Sequence, residues 1–401
     1  MKTKIFKPGV LVLTALLSII NTLFAQDAPV PPTSIFDSKA FAGGMKQMEL
    51  AMNDLKANFK MDFKDFGKNF SGSFSEMAPL AELNNMSLGA NAYKPDNEKQ
   101  KTYSKSYTVD GNDKLQINNK YGRVTINTWN KSEIKVDVLI KASASKDNDA
   151  QKYLDNITVS DSKDGSVVSF TTRFGNYNGS SGWSLWGGSS SHKIEVDYVV
   201  YMPAKNALDI DNKYGSTTLP DFDGKITINA AYGSFTAQTL THPDNAVKVK
   251  YGSANIQSFA SGEIDVAYGG LDLDAADKLS ADVRYGSVKI GKVKSSANIS
   301  AHYAGTVKIS ELDKDFSTLS FDGSYSGIKV GMNNNIAADF DITVHYGSFS
   351  FGNTQVNVTD KMPPDSHKGF SSTQNYKGHV GKGSGDKKID IRSSFGSVQF
   401  E

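Results

Sequence analysis

The side chains best suited by type to acid–base chemistry are Asp265, Asp272 and Asp282, the cations Arg284 and Lys289, and the imidazoles His302 and His345. Cleavage of a polysaccharide would need one such group as proton acceptor, another as donor, and a positive charge beside the leaving oxygen or a sugar carboxylate. These residues alternate with apolar ones, which directs most of them outward, where charge also serves to solvate a surface. His192, His242, His302, His345, His367 and His379 form no HExxH motif, no closely spaced pair and no His/Cys cluster, so no metal site is expected. The chain has no GxxxxGK[ST] phosphate cradle, no GxSxG elbow and no GGxGxD calcium repeat. No catalytic residue and no cofactor is expected. A different chemistry, contact rather than reaction, is available in the Gly/Ser-rich stretch 175–189, where Tyr177, Trp183 and Trp186 follow Arg173. Aromatic faces on such a loop suit stacking on a sugar or insertion into a protein. These four residues are the candidate contact surface.

The elements that must carry these residues are strands. From about residue 106 the apolar pattern has period two, with long candidate strands at 133–142, 166–174 and 193–202. A Tyr-Gly-Ser corner then recurs at Tyr214, Tyr232, Tyr251, Tyr285 and Tyr346, with altered copies at Tyr268 (Tyr-Gly-Gly), Tyr303 (Tyr-Ala-Gly) and Tyr325 (Tyr-Ser-Gly); the eight follow in chain order at intervals of 18, 19, 17, 17, 18, 22 and 21 residues. Tyr121 begins the first form of the motif, and Phe395 begins a late copy that reads as a closing rung. Before each corner the inward set ends at the tyrosine, as in Ile226, Ile228, Ala230, Tyr232. It restarts three positions later at Phe235 and Ala237. An uninterrupted strand cannot keep one face through such a shift, so the chain must turn or bulge at Gly-Ser. Glycine supplies either a positive φ or a close approach there.

One coil per repeat, with equivalent strands paired above and below, buries an apolar side that no single coil could cover. The fold expected is therefore all-β, a single-stranded β-helix or β-solenoid with tyrosines stacked along one side. Seven intervals correspond to roughly 34 Å of stack. The parity of the tyrosines directs their rings inward, and a sugar-binding strip would require them exposed. A propeller would need blades about twice this period, and a sandwich does not require the same corner each time.

Upstream, a basic start (Lys2, Lys4, Lys7), the apolar run 10–20 and Ala25 read as a signal peptide over 1–25. The stretch 26–105 reads as a proline-rich leader, an amphipathic helix at about 44–70 and a connector. Met45, Met48, Met52, Leu55, Phe59, Phe63, Phe66 and Phe70 share one helical face, which is expected to fold over the end or side of the β-region, with self-association or a membrane-surface helix as the alternatives. The region 106–401 reads as the solenoid, with a capping elaboration at 128–206 and an edge loop at 361–387. There is no cysteine, so neither disulfides nor a lipidated cysteine is available. The chain carries 44 basic and 43 acidic residues; without Lys2, Lys4 and Lys7 the balance is 41 to 43, which argues against a nucleic-acid partner.

The runs Asn119-Lys120-Tyr121-Gly122-Arg123-Val124-Thr125-Ile126, Ile194-Glu195-Val196-Asp197-Tyr198 and Asp211-Asn212-Lys213-Tyr214-Gly215 resemble the adhesin-like repeat proteins common in Bacteroidota. The resemblance covers about 106–401. It implies an exported, right-handed β-solenoid and brings no catalytic motif. The leading expectation is an exported, non-enzymatic binding or scaffold protein of the periplasm, outer membrane or extracellular space, with a glycan or a cell-envelope protein as partner. A carbohydrate-active β-helix enzyme and a self-assembling envelope element are the alternatives.

Overall fold

A computed structural model describes residues 97–175, 192–332, 335–364, 366, 369, 371–382 and 386–401. The signal peptide, the leader, the helix at 44–70 and the aromatics Tyr177, Trp183 and Trp186 lie outside the described residues.

The described chain is mostly β, with one short helix. In chain order the strands are β1 (Asn97–Thr108), β2 (Lys114–Lys120), β3 (Val124–Thr128), β4 (Glu133–Ala144), β5 (Ile157–Asp164), β6 (Val167–Phe174) and β7 (His192–Met202). Helix α1 (Asp147–Asp155) lies between β4 and β5 and buries Ala150 and Leu154. Next come β8 (Ala207–Lys213), β9 (Thr217–Leu219), β10 (Ile226–Ala231), β11 (Phe235–Leu240), β12 (Asn245–Lys250), β13 (Ser253–Ala267), β14 (Gly270–Arg284), β15 (Ser287–Leu312) and β16 (Thr318–Val330). The last are β17 (Ala338–His345), β18 (Phe349–Ser350), β19 (Val356–Met362), β20 (Thr373–Val380), β21 (Lys388–Ser394) and β22 (Val398–Phe400).

From β8 to β16 each strand pairs in parallel with its equivalent one repeat later. Ile228 lies opposite Ile210 on one side and Val247 on the other, and Val247 in turn lies opposite Ile264. In this register Ile210, Ile228, Val247, Ile264, Ala281 and Ile299 lie one over another and form one buried row. The period-two alternation is the cause, because only one face of each strand has a low-cost alternative to water. A second row, Phe222, Leu240, Phe259, Ala276 and Val293, fills the core beyond the corner.

The two ends depart from chain order. β2 and β3 lie between β6/β7 and β8/β9, pairing in parallel with both. At the other end β21 and β22 lie between β16 and β17/β18 rather than closing the stack after them. The late copy at Phe395 is thus an inserted level. Its chain has open backbone groups on both edges, and insertion between two existing levels satisfies both. The outer edge of β17 is covered by β20, antiparallel, and β20 by β19. Part of the stretch read as an edge loop at 361–387 is therefore strand. β1 likewise starts at Asn97, within the stretch read as connector, and pairs antiparallel with β4, which pairs antiparallel with β7. Its Lys, Ser and Thr residues carry no apolar alternation to announce a strand. Among the described residues no helix is long and apolar enough to cross a membrane.

Candidate functional site

At every corner the aromatic residue takes a left-handed backbone, with φ from 50° to 66° at Tyr121, Tyr214, Tyr232, Tyr251, Tyr268, Tyr285, Tyr303, Tyr325, Tyr346 and Phe395. Of the two roles open to the glycine, the positive φ belongs instead to the residue before it. The glycine answers a different need. A Cβ on Gly252 would stand 2.0 Å from the carbonyl oxygen of Gly233, and one on Gly269 would stand 1.6 Å from that of Gly252. Successive corners approach backbone to backbone, which no side chain permits. Where alanine and serine replace this glycine, at Ala304 and Ser326, the register between β15 and β16 shifts and the Ala304 amide donates to Ser326 Oγ at 2.9 Å.

The left-handed turn points the aromatic side chain out of the core. This corrects the parity reading, which closed each inward set with the tyrosine. The eight rings from Tyr214 to Tyr346 that follow the repeat are 41–51% exposed, and Phe395 is 41% exposed. An extended backbone would continue the alternation through the tyrosine; the turn breaks it one residue early.

The rings form one ladder in the order Tyr121, Tyr214, Tyr232, Tyr251, Tyr268, Tyr285, Tyr303, Tyr325, Phe395, Tyr346. Neighbouring centroids are 4.7–5.2 Å apart and ring planes lie within 14° of parallel. Nine such steps make a strip about 44 Å long, at the spacing of the strands beneath it. The backbone sets that spacing: Tyr214 N–H donates to Ala231 O, Tyr232 N–H to Lys250 O and Tyr251 N–H to Ala267 O, at 2.8–2.9 Å. Each inner ring has both faces against its neighbours. What remains for solvent is a row of ring edges and phenol hydroxyls. At the N-terminal end Phe174 packs edge-on to Tyr121 at 5.5 Å. Arg173 is exposed on β6.

The acid–base candidates do not converge. Asp265 and Asp282 both bind Arg284, at 2.7 and 3.1 Å, and Lys248 stands 3.3 Å from Asp265. Asp272 and Lys289 are opposite each other on β14 and β15, beyond the corner. His302 contacts Ser300 Oγ at 3.1 Å, while His345 contacts Thr373 Oγ1 at 2.6 Å, three ladder steps away. A shallow groove between β1, β3, β4 and β7 holds Arg123, whose guanidinium binds Asp197 at 2.8 Å and stands 3.8 Å from Glu195. Burial pushes the Tyr198 phenol in its wall up to about 12, and Tyr198 Oη lies 2.8 Å from Thr172 Oγ1. Among the described residues no group of three or more His, Cys, Asp or Glu side chains could hold a metal ion.

Two polar features are absent from the sequence reading. Asn119 and Asn212 point inward beneath the first two tyrosines and are fully buried. Asn212 Nδ2 donates to the carbonyls of Gly122, Gly215 and Ser216 at 3.1–3.2 Å, and Asn119 Nδ2 to Val196 O at 3.0 Å. They satisfy carbonyls that the corner turns into the core. The repeated Asn-Lys-Tyr-Gly could have pointed to this, since only two corners carry it. Second, the phenols of Tyr103 and Tyr107 on β1 both donate to the carboxylate of Asp161 on β5, joining two strands that share no ladder.

No family model matches this chain, and no curated protein does. Solved structures similar to it include a candidate adhesin from Parabacteroides distasonis, 12% identical, covering 77% of this chain and 98% of that one, with a TM-score of 0.32. A candidate adhesin from Bacteroides fragilis is 11% identical over 75% of this chain and 97% of that one, at a TM-score of 0.29. A candidate lipid-binding protein from Parabacteroides distasonis is 11% identical over 75% of this chain and 96% of that one, at 0.26. TM-scores at this level assign neither fold nor activity to this chain.

Proposed function

We propose that the chain is an exported, non-enzymatic binding or scaffold protein of the adhesin type, a right-handed β-solenoid that presents its corner ladder as the contact surface. The observation that carries this reading is the evenly spaced strip of ten aromatic rings, nine of them exposed. Large exposed apolar patches commonly mark interaction sites, and this one runs the length of the stack. The parallel stack explains how the strip stays rigid, so little ordering entropy is lost when a partner binds. Arg173, Tyr177, Trp183 and Trp186 are retained as a second candidate contact surface, on the residue types of the Gly/Ser-rich stretch 175–189. The basic, apolar start of the chain supports export.

The test replaces Tyr251 and Tyr268 by asparagine, which tolerates a left-handed backbone better than alanine does. Retention on an immobilised panel of exported polysaccharides and envelope fractions should fall at least tenfold, while the far-UV circular dichroism and melting curve persist. Product formation, followed in parallel, should be absent. Unchanged retention in the double variant would remove the ladder from the function.

A further inference from the structure

We propose that the ladder and the basic row beside it form a docking strip for a linear acidic polysaccharide lying along the stack, an assignment that rests on the ladder being the contact surface. Three observations define the ligand. First, the inner rings are stacked face to face, 4.7–5.2 Å apart. No sugar or nucleobase can stack on a face already covered, which removes the usual mode of both single-sugar and single-stranded nucleic-acid capture. Edges and phenol hydroxyls remain, and these suit a chain of hydroxyl groups running across many levels.

Second, the residue immediately before the ring is Lys120, Lys213, Lys250, Arg284, His302 or His345 at six of the ten levels. At the other four it is alanine or serine, so no carboxylate stands in that row. On the other side, the position after the glycine also holds no carboxylate and is commonly serine, as at Ser216, Ser253 and Ser287. The acids of this surface stand further back, where Asp211 lies 3.8 Å from Lys213 and Asp265 and Asp282 hold Arg284. Lys120 and Lys250 are exposed and have no ion-pair partner among the described residues. Three ladder steps separate them, about 15 Å at the strand spacing.

Third, the strip repeats without a break in spacing across the inserted level at Phe395. A ligand with a repeat of its own gains a weak contact at each level, so its affinity should grow with its length. A linear polyuronate meets all three conditions: hydroxyls for the phenols, a carboxylate on each residue for the lysines, and an extended repeating chain.

The experiment titrates the full mature chain with oligomannuronates of about four and about twelve residues, the length contrast that multivalent contact requires. Length-matched cello-oligosaccharides and oligo-dT serve as the neutral and nucleic-acid arms. The longer oligomannuronate should bind at least tenfold more tightly than the shorter and than its neutral counterpart. Lys120→Ala and Lys250→Ala, both at exposed positions, should each weaken it about threefold, the size of one exposed charge contact. Raising the salt should weaken it further. Equal binding of the neutral chain, with loss in the Tyr251/Tyr268 double variant, would overturn the acidic ligand while leaving the ladder as the contact surface. Tighter binding of oligo-dT would overturn the inference in favour of nucleic acid. Saccharide binding that ignores both the lysine and the tyrosine variants would overturn the ladder reading as well.

Discussion

A tyrosine held at φ near 55° costs about 1–2 kcal/mol relative to an ordinary backbone, because its Cβ crowds the following carbonyl. Stacking of an aromatic pair contributes about 0.5–1.5 kcal/mol, and each inner ring of the ladder has two neighbours, so the strained turn and the stack roughly offset each other. Tyr251→Asn should therefore change stability by no more than about 1 kcal/mol. Gly252→Ala, one position on, would drive a methyl to within 2.0 Å of Gly233 O and should cost about 3 kcal/mol or prevent folding. Urea denaturation of the two variants checks this contrast; equal losses would mean that the glycine is not the site of close approach. The Asp161 clamp makes a second residue-scale prediction. Burial opposes the Asp161 carboxylate, yet hydrogen bonds from Tyr103 and Tyr107 hold it below the ordinary carboxylate range. The bond to Asp161, then burial, pushes Tyr107 up to about 12, while burial first and the same carboxylate second push Tyr103 up. The depressed acid stabilises the fold above its unfolded value, and that contribution is lost as pH falls through the folded value. The raised phenols stabilise it below about 10, the ordinary phenol value, and lose this as pH rises towards their folded values. Melting temperature should thus fall at both extremes, and Asp161→Asn should lower the neutral plateau and flatten both flanks. A variant whose profile parallels the parent's would remove the clamp.

At the scale of elements, both ends of the stack must manage open strand edges, and the C-terminal end does so with the β19–β20 hairpin over β17. The ends of that hairpin meet, since Gly381 N–H donates to Gln355 O at 3.0 Å. Replacing residues 356–380 by a short Gly/Ser linker should leave the rest of the stack folded and expose the edge of β17. The expected result is concentration-dependent association by light scattering; a monomer at all concentrations would show that the hairpin is not a protective cap. The alternation of Ile226, Ile228 and Ala230, and the shift of inward positions at each corner, made the strands and their parallel register legible in the sequence. The order of levels was not legible. Ile389, Ile391, Val398 and Phe400 have the same alternation whether their level closes the stack or enters between β16 and β17, because period two encodes a face and carries no address. The direction of the tyrosines was hidden for a related reason. Parity counts assume extended backbone, and the left-handed turn falls on the tyrosine itself.

For the molecule as a whole, the ladder joins the backbone spacing to a surface of the same spacing, so the function proposed for it follows from the architecture rather than from a cleft. The acid and base residues that suggested chemistry in the sequence are distributed over several levels and are paired in part with one another, as Arg284 is with Asp265 and Asp282. The most direct test of the exposed ladder is tyrosine nitration read residue by residue by mass spectrometry. Tyr232, Tyr251, Tyr268 and Tyr303 should react readily in the folded protein, while Tyr198, which is fully buried, should stay unmodified until denaturation. Ladder tyrosines as inert as Tyr198 would contradict the account, because rings folded into the core cannot be the contact surface.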